Sequence, residues 1–133
     1  MHEIGRPHVL LAEDDDTFRD LMAQRLARLG FFATMAANQH QAKRVIGSGL
    51  PIDLLITDNT FTNGRQDADD GLEIIDYLAE NDIQIPIITF GNDTFHHMKA
   101  ERDSITHDLV KGSFSELEHI LAGIKSSWDL REA

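Results

Sequence analysis

Val9-Leu10-Leu11-Ala12-Glu13-Asp14-Asp15-Asp16 changes character in one step, from four apolar residues to four acids. A run that is apolar at every position suits a strand buried on both faces, and the acids mark where the chain leaves the core. Downstream, Phe18, Leu21, Met22, Leu26 and Leu29 keep helical spacing, with Asp16 or Thr17 placed to cap the start and Gly30 to stop the end. Phe31 to Ala37 predicts a second strand, and Gln39 to Ile46 a short helix closed by Gly47-Ser48-Gly49. Ile52-Asp53-Leu54-Leu55-Ile56-Thr57 repeats the opening theme and again finishes on an acid, Asp58.

The second half continues the alternation. Leu72, Ile74, Ile75 and Leu78 space a third helix, and Ile83 to Phe90 predicts a fourth strand with Pro86 near its beginning, where a missing N–H does least harm. Asn92 to Arg102 predicts a short helix whose apolar face is Phe95 and Met98, with Ile105 beyond. Leu109-Val110 is a minimal fifth strand. Leu117, Ile120, Leu121, Ile124 and Trp128 then mark a last amphipathic helix, with Ser113 or Ser115 as cap. Trp128, Phe31 and Phe32 are assigned to packing. Five strands alternating with five helices argue for a doubly wound α/β fold, a parallel sheet covered on both sides. In such sheets sites gather at the carboxyl ends of the strands.

Composition narrows the function. At 133 residues the chain is expected to be a single domain over 1–133 with its core at about 8–128. With 41% hydrophobic and 26% charged residues it reads as an ordinary globular protein. No apolar stretch approaches a membrane span and Met1 to Val9 lacks the apolar centre of a secretory signal, so a cytoplasmic location is expected. The absence of cysteine removes disulfides, thiolate catalysis and thiolate-bound zinc, leaving oxygen or imidazole ligands for any metal. Twelve Lys and Arg against 23 Asp and Glu give a net charge of −11, which repels a phosphate backbone and argues against nucleic-acid binding.

The strand ends converge on one chemistry. Glu13, Asp14 and Asp58 together offer an oxygen site for Mg²⁺, and Thr60, two residues past Asp58, can add a backbone carbonyl. Three carboxylates at one sheet edge repel one another unless a cation compensates, and Lys111, at the end of the fifth strand, supplies a single positive charge. An Asp beside Mg²⁺ and a Lys is equipped for phosphoryl transfer, because both cations offset charge on the equatorial oxygens; Asp58 would be the nucleophile.

Val9-Leu10-Leu11-Ala12-Glu13-Asp14-Asp15, Leu55-Ile56-Thr57-Asp58 and Leu109-Val110-Lys111, in this order and over nearly the whole chain, resemble the response-regulator receiver family. The resemblance implies a flavodoxin-like (βα)5 domain of strand order 2-1-3-4-5. It implies that Asp58 accepts a phosphoryl group from a histidine kinase or phosphotransfer protein, with Mg²⁺, or Mn²⁺ in its place. By position, Glu13 and Asp14 become the metal-side acids, Thr60 the carbonyl ligand and Lys111 the phosphoryl contact. With no effector domain after Trp128, the chain resembles stand-alone receivers, which signal to a downstream protein target by contact or act as relay intermediates. The expected role is a phosphoacceptor, not an enzyme.

Several positions depart from the family. The hydroxyl residue ending strand four is replaced by Gly91, with Thr89 two residues earlier and about 7 Å deeper at strand rise. The aromatic switch position is Asp108, and the Pro after the Lys is Gly112. Asn59 to Asp70 is a long polar loop containing Phe61, Asn63, Gly64, Asp67, Asp69 and Asp70, which reads as a lid, a partner contact or a plain bulge. These departures leave open a pseudo-receiver that works without phosphorylation. An aspartyl phosphohydrolase is a third reading suggested by Asp14-Asp15-Asp16-Thr17, but Phe18 and the short chain do not match the haloacid-dehalogenase pattern. Asp15 and Asp16 are assigned to capping or solvent. His96-His97 point about 100° apart on a helix and do not chelate, and Asp67, Asp69 and Asp70 lack the spacing and terminal Glu of an EF-hand.

Overall fold

The computed structural model describes residues 6–58, 60–61, 69–70, 72–91, 104–110 and 114–132. In chain order these form β1 (His8–Ala12), α1 (Asp16–Arg28), β2 (Phe32–Ala36), α2 (Gln39–Gly47), β3 (Leu54–Asp58), β4 (Thr60–Phe61), β5 (Asp69–Asp70), α3 (Leu72–Glu80), β6 (Ile87–Gly91), β7 (His107–Val110) and α4 (Phe114–Glu132). The expected helix over Asn92 to Arg102 lies outside the described residues, as does Ser113.

Five strands make one parallel sheet in the order β2-β1-β3-β6-β7. Side chains alternate between its two faces. Val9, Leu11, Leu54, Ile56, Ile88, Phe90 and Leu109 pack with Met22 and Leu26 of α1 and Leu117 and Leu121 of α4. Leu10, Ala12, Ala36, Leu55 and Ile87 pack on the other face with Ala42 and Ile46 of α2 and Ile74, Ile75 and Leu78 of α3. The all-apolar strand runs are therefore explained by burial on both faces.

Local chemistry sets the element ends. Asp15, not Asp16 or Thr17, caps α1: its Oδ1 accepts from the Phe18 N–H at 3.0 Å. The helix consequently begins a residue or two before the apolar periodicity shows it. Gly30, at φ 92°, ends α1 in a Schellman arrangement, with the Gly30 N–H donating to the Ala27 carbonyl and the Phe31 N–H to that of Leu26. The same arrangement at the end of α3 corrects the expected fourth strand. Asp82 takes the left-handed position at φ 56°, and the Ile83 N–H donates to the Leu78 carbonyl at 3.0 Å. Ile83 thus belongs to the helix cap, residues 83–86 are irregular, and β6 starts only after Pro86, whose carbonyl accepts from the Leu55 N–H at 3.1 Å.

Three more expectations are corrected. Ser115 stands inside α4 and cannot cap it. The fifth strand is longer than Leu109-Val110, because His107 and Asp108 also pair with β6. Phe31 and Trp128 are buried as expected, whereas Phe32 is 37% exposed: β2 is an edge strand, so its alternation no longer places every side chain in the core.

Candidate metal centre

β1 and β3 are neighbours in the sheet, with Ala12 opposite Thr57, so the residues that follow them emerge side by side. This pairing brings Glu13, Asp14 and Asp58 together, each offering a carboxylate oxygen within 4.8 Å of the others. Glu13 is 1% and Asp58 5% exposed, and Asp14 is half-buried. Carboxylates this close and this far from water repel one another, and a divalent cation relieves that repulsion. An all-oxygen set of this kind suits a hard ion such as Mg²⁺.

The chain holds the acids by backbone geometry. The Glu13 N–H donates to the Ala36 carbonyl at 3.0 Å, extending the β1–β2 ladder one residue past the strand. Glu13 Oε2 accepts from the Asp15 N–H at 3.0 Å, and the Glu13 carbonyl accepts from Arg19 Nη1 at 2.8 Å. The second guanidinium nitrogen of Arg19 pairs with Asp16. Asp15 and Asp16 therefore serve helix capping and the bracing of Arg19, as their sequence positions suggest. Arg19 is the contributor that sequence reading missed. Its i+3 spacing from Asp16 was visible, but its reach back to the Glu13 carbonyl was not.

The other expected site residues fall into three groups. Thr60 and Phe61 form β4, which pairs antiparallel with Asp70 and Asp69 of β5, so the two described ends of the long loop pair as a short ribbon. Gly91 is buried as the last residue of β6, opposite Val110, and Asp108 lies in β7 opposite Thr89. Lys111, Gly112, Asn63 and Asp67 lie outside the described residues. Thr89 is fully buried opposite Thr57, one register step deeper than Asp58, and its hydroxyl faces the His107 carbonyl at 3.5 Å. The residue beside Asp58 on β6 is Phe90.

A doubly wound parallel sheet with an acidic triad at its carboxyl edge is the framework of a receiver-type signalling module. Within that class, the profile of the response regulator receiver domain matches residues 9–121, and the chain belongs to this family of two-component signal transduction. It is similar to the regulatory protein VirG of Agrobacterium tumefaciens (strain 15955), with 37% identity over 91 residues, 67% of this chain and 32% of that protein. The chain thus spans about a third of the length of the curated relatives it matches. Among solved structures it resembles a Francisella response regulator receiver domain (TM-score 0.76, 21% identity, 92% of this chain and 98% of that one). It also resembles the response regulator TrrA of Thermotoga maritima, solved in complex with Mg²⁺ and BeF (TM-score 0.73, 21% identity, 89% and 98%). Receiver domains pair with histidine kinases and bind Mg²⁺, and the acid cluster here has the donor chemistry of such a metal site. No helix among the described residues is long and apolar enough to cross a membrane.

Proposed function

We propose that Asp58 accepts a phosphoryl group from a histidine kinase or phosphotransfer protein and that the phosphorylated domain signals by protein contact. The observation that carries this reading is the gathering of Glu13, Asp14 and Asp58 within 4.8 Å, with Asp58 held at a strand end. An Asp58 carboxylate oxygen attacks phosphorus as the phosphorus–nitrogen bond of the donor's phosphohistidine breaks, and the departing imidazole takes up a proton. Glu13, Asp14, Asp58 and the Thr60 carbonyl would hold Mg²⁺, or Mn²⁺; such an ion supplies charge neutralisation at the phosphoryl oxygens. Lys111 is assigned the same charge-neutralising role.

Incubation with Mg²⁺ and acetyl phosphate, followed by intact mass measurement, tests the proposal. Wild type should gain one phosphoryl increment, and Asp58→Asn or a chelator should abolish it. A second reading, a pseudo-receiver working without phosphorylation, is favoured by Gly91, which brings no hydroxyl to the end of β6. Failure of the increment together with absent Mg²⁺ binding in a titration would select that reading.

A further inference from the structure

We propose that the outer edge of β2 is a self-pairing edge, on which a second copy of this chain docks antiparallel about Thr34. The inference does not depend on phosphorylation at Asp58.

β2 is the outermost strand, paired with β1 alone among the described residues. The Phe32 N–H donates inward to the Pro7 carbonyl, and the Ala36 carbonyl accepts inward from the Glu13 N–H. In a parallel ladder alternate residues point their backbone groups to the same neighbour, so those of Phe32, Thr34 and Ala36 face β1 and those of Ala33 and Met35 face outward. Protein sheets usually blunt such an edge with charges, proline or a bulge. Phe31 to Asn38 contains no charged residue and no proline, while Phe32 and Met35 are 37% and 47% exposed.

The occupant is argued from shape and charge. Antiparallel pairing centred on Thr34 sets Ala33 opposite the partner's Met35 and Phe32 opposite the partner's Ala36. Each large side chain then meets a small one, and Thr34, whose hydroxyl is hydrogen-bonded to His8 Nε2 at 2.6 Å, stands opposite the partner's Thr34. The outward groups of Ala33 and the partner's Met35 exchange two N–H···O bonds, and the two-fold axis repeats them. Charge agrees with this direction. Between Asp20 and Asp53 the chain carries Arg25, Arg28, Lys43 and Arg44 and no acid; Arg25 pairs with Glu118 and Lys43 with Glu73, so the charge argument rests on Arg28 with Arg6. Arg6, over the Phe32 ring at 5.7 Å, and exposed Arg28 at the end of α1 mark the start of β2. Asp14 and Asp15, next to the buried Glu13 whose N–H bonds Ala36 and to the Arg19-paired Asp16, mark its other end. Antiparallel docking lays each basic end along the partner's acidic end, whereas a parallel arrangement would set like against like.

Sedimentation equilibrium up to about 0.5 mM chain tests this, in a concentration range that reaches weak association. A monomer–dimer equilibrium is expected, weakened by salt. Met35→Lys, which charges the edge, and Met35→Pro, which removes one outward N–H without touching the β1 ladder, should each raise the dissociation constant at least about tenfold. Leu50→Lys, an exposed apolar residue away from the strand, should leave it unchanged. In wild type the Ala33 and Met35 amides should gain exchange protection as concentration rises, a readout that requires no variant. A monomer throughout the range overturns the proposal and leaves the edge to an extended segment of some other protein. A dimer that survives both Met35 variants overturns it equally.

Discussion

The carboxyl ends of β3 and β6 lie next to each other and carry opposite chemistry. At β3 the chain delivers Asp58 to meet Glu13 and Asp14, whereas at β6 it delivers Phe90 and Gly91, a buried aromatic ring and no side chain at all. Phe90 packs edge-on against Phe18 of α1 at 5.8 Å, and Phe18 stacks on Phe114 of α4 at 5.7 Å. One strand end therefore holds charge and its neighbour holds packing. In the proposed function the phosphoryl group goes to the β3 end, while the β6 end brings no hydroxyl to it.

The contrast can be broken from either side. The largest stability effect is expected from Phe90→Ala, which removes a 1%-exposed ring and should cost roughly 3–5 kcal/mol in urea unfolding. A loss below about 1 kcal/mol would mean that β6 ends in slack rather than packing. Glu13→Gln preserves an oxygen acceptor for the Asp15 N–H but removes one charge; Mg²⁺ affinity by calorimetric titration should fall at least about tenfold. Unchanged affinity would remove Glu13 from the metal site. Asp15→Ala should lower stability by about 1 kcal/mol through loss of the α1 cap, with Mg²⁺ affinity less affected than in Glu13→Gln. Gly91→Ser sharpens the comparison. In wild type, amide-exchange changes on adding beryllofluoride should concentrate in the β4–β5 ribbon, and the new hydroxyl should extend them into β6 and β7. A wild-type response confined to β6 with a silent ribbon would break the comparison, because the end without a hydroxyl would then be the one that responds.

Much of the fold was legible because it is written in short-range pattern. The apolar runs ending in Glu13 and Asp58, the spacing of Met22 with Leu26, and Gly30 as a stop are local signals, and each sits where its pattern placed it. The errors also have local causes. Ile83 looks like a strand residue by composition, yet the left-handed Asp82 turns it into a cap, a conformation usually taken by glycine and so easily missed at an aspartate. The β4–β5 ribbon escaped because two-residue strands carry no periodicity to read.

The acidic triad stands between these cases. Its members could be named from their positions at strand ends, but their meeting depends on β1 pairing with β3, a contact between segments more than 40 residues apart. Residue order alone thus settled the alternating α/β architecture, the acidic character of the strand ends and the missing hydroxyl at Gly91. The tertiary structure alone decided that Phe90 lies beside Asp58, that Arg19 braces Glu13, and that Phe32-Ala33-Thr34-Met35-Ala36 is the outermost strand among the described residues. Periodicity reports which face of a strand is apolar; which strand lies alongside it, or whether any does, is set by long-range pairing that a local pattern does not encode.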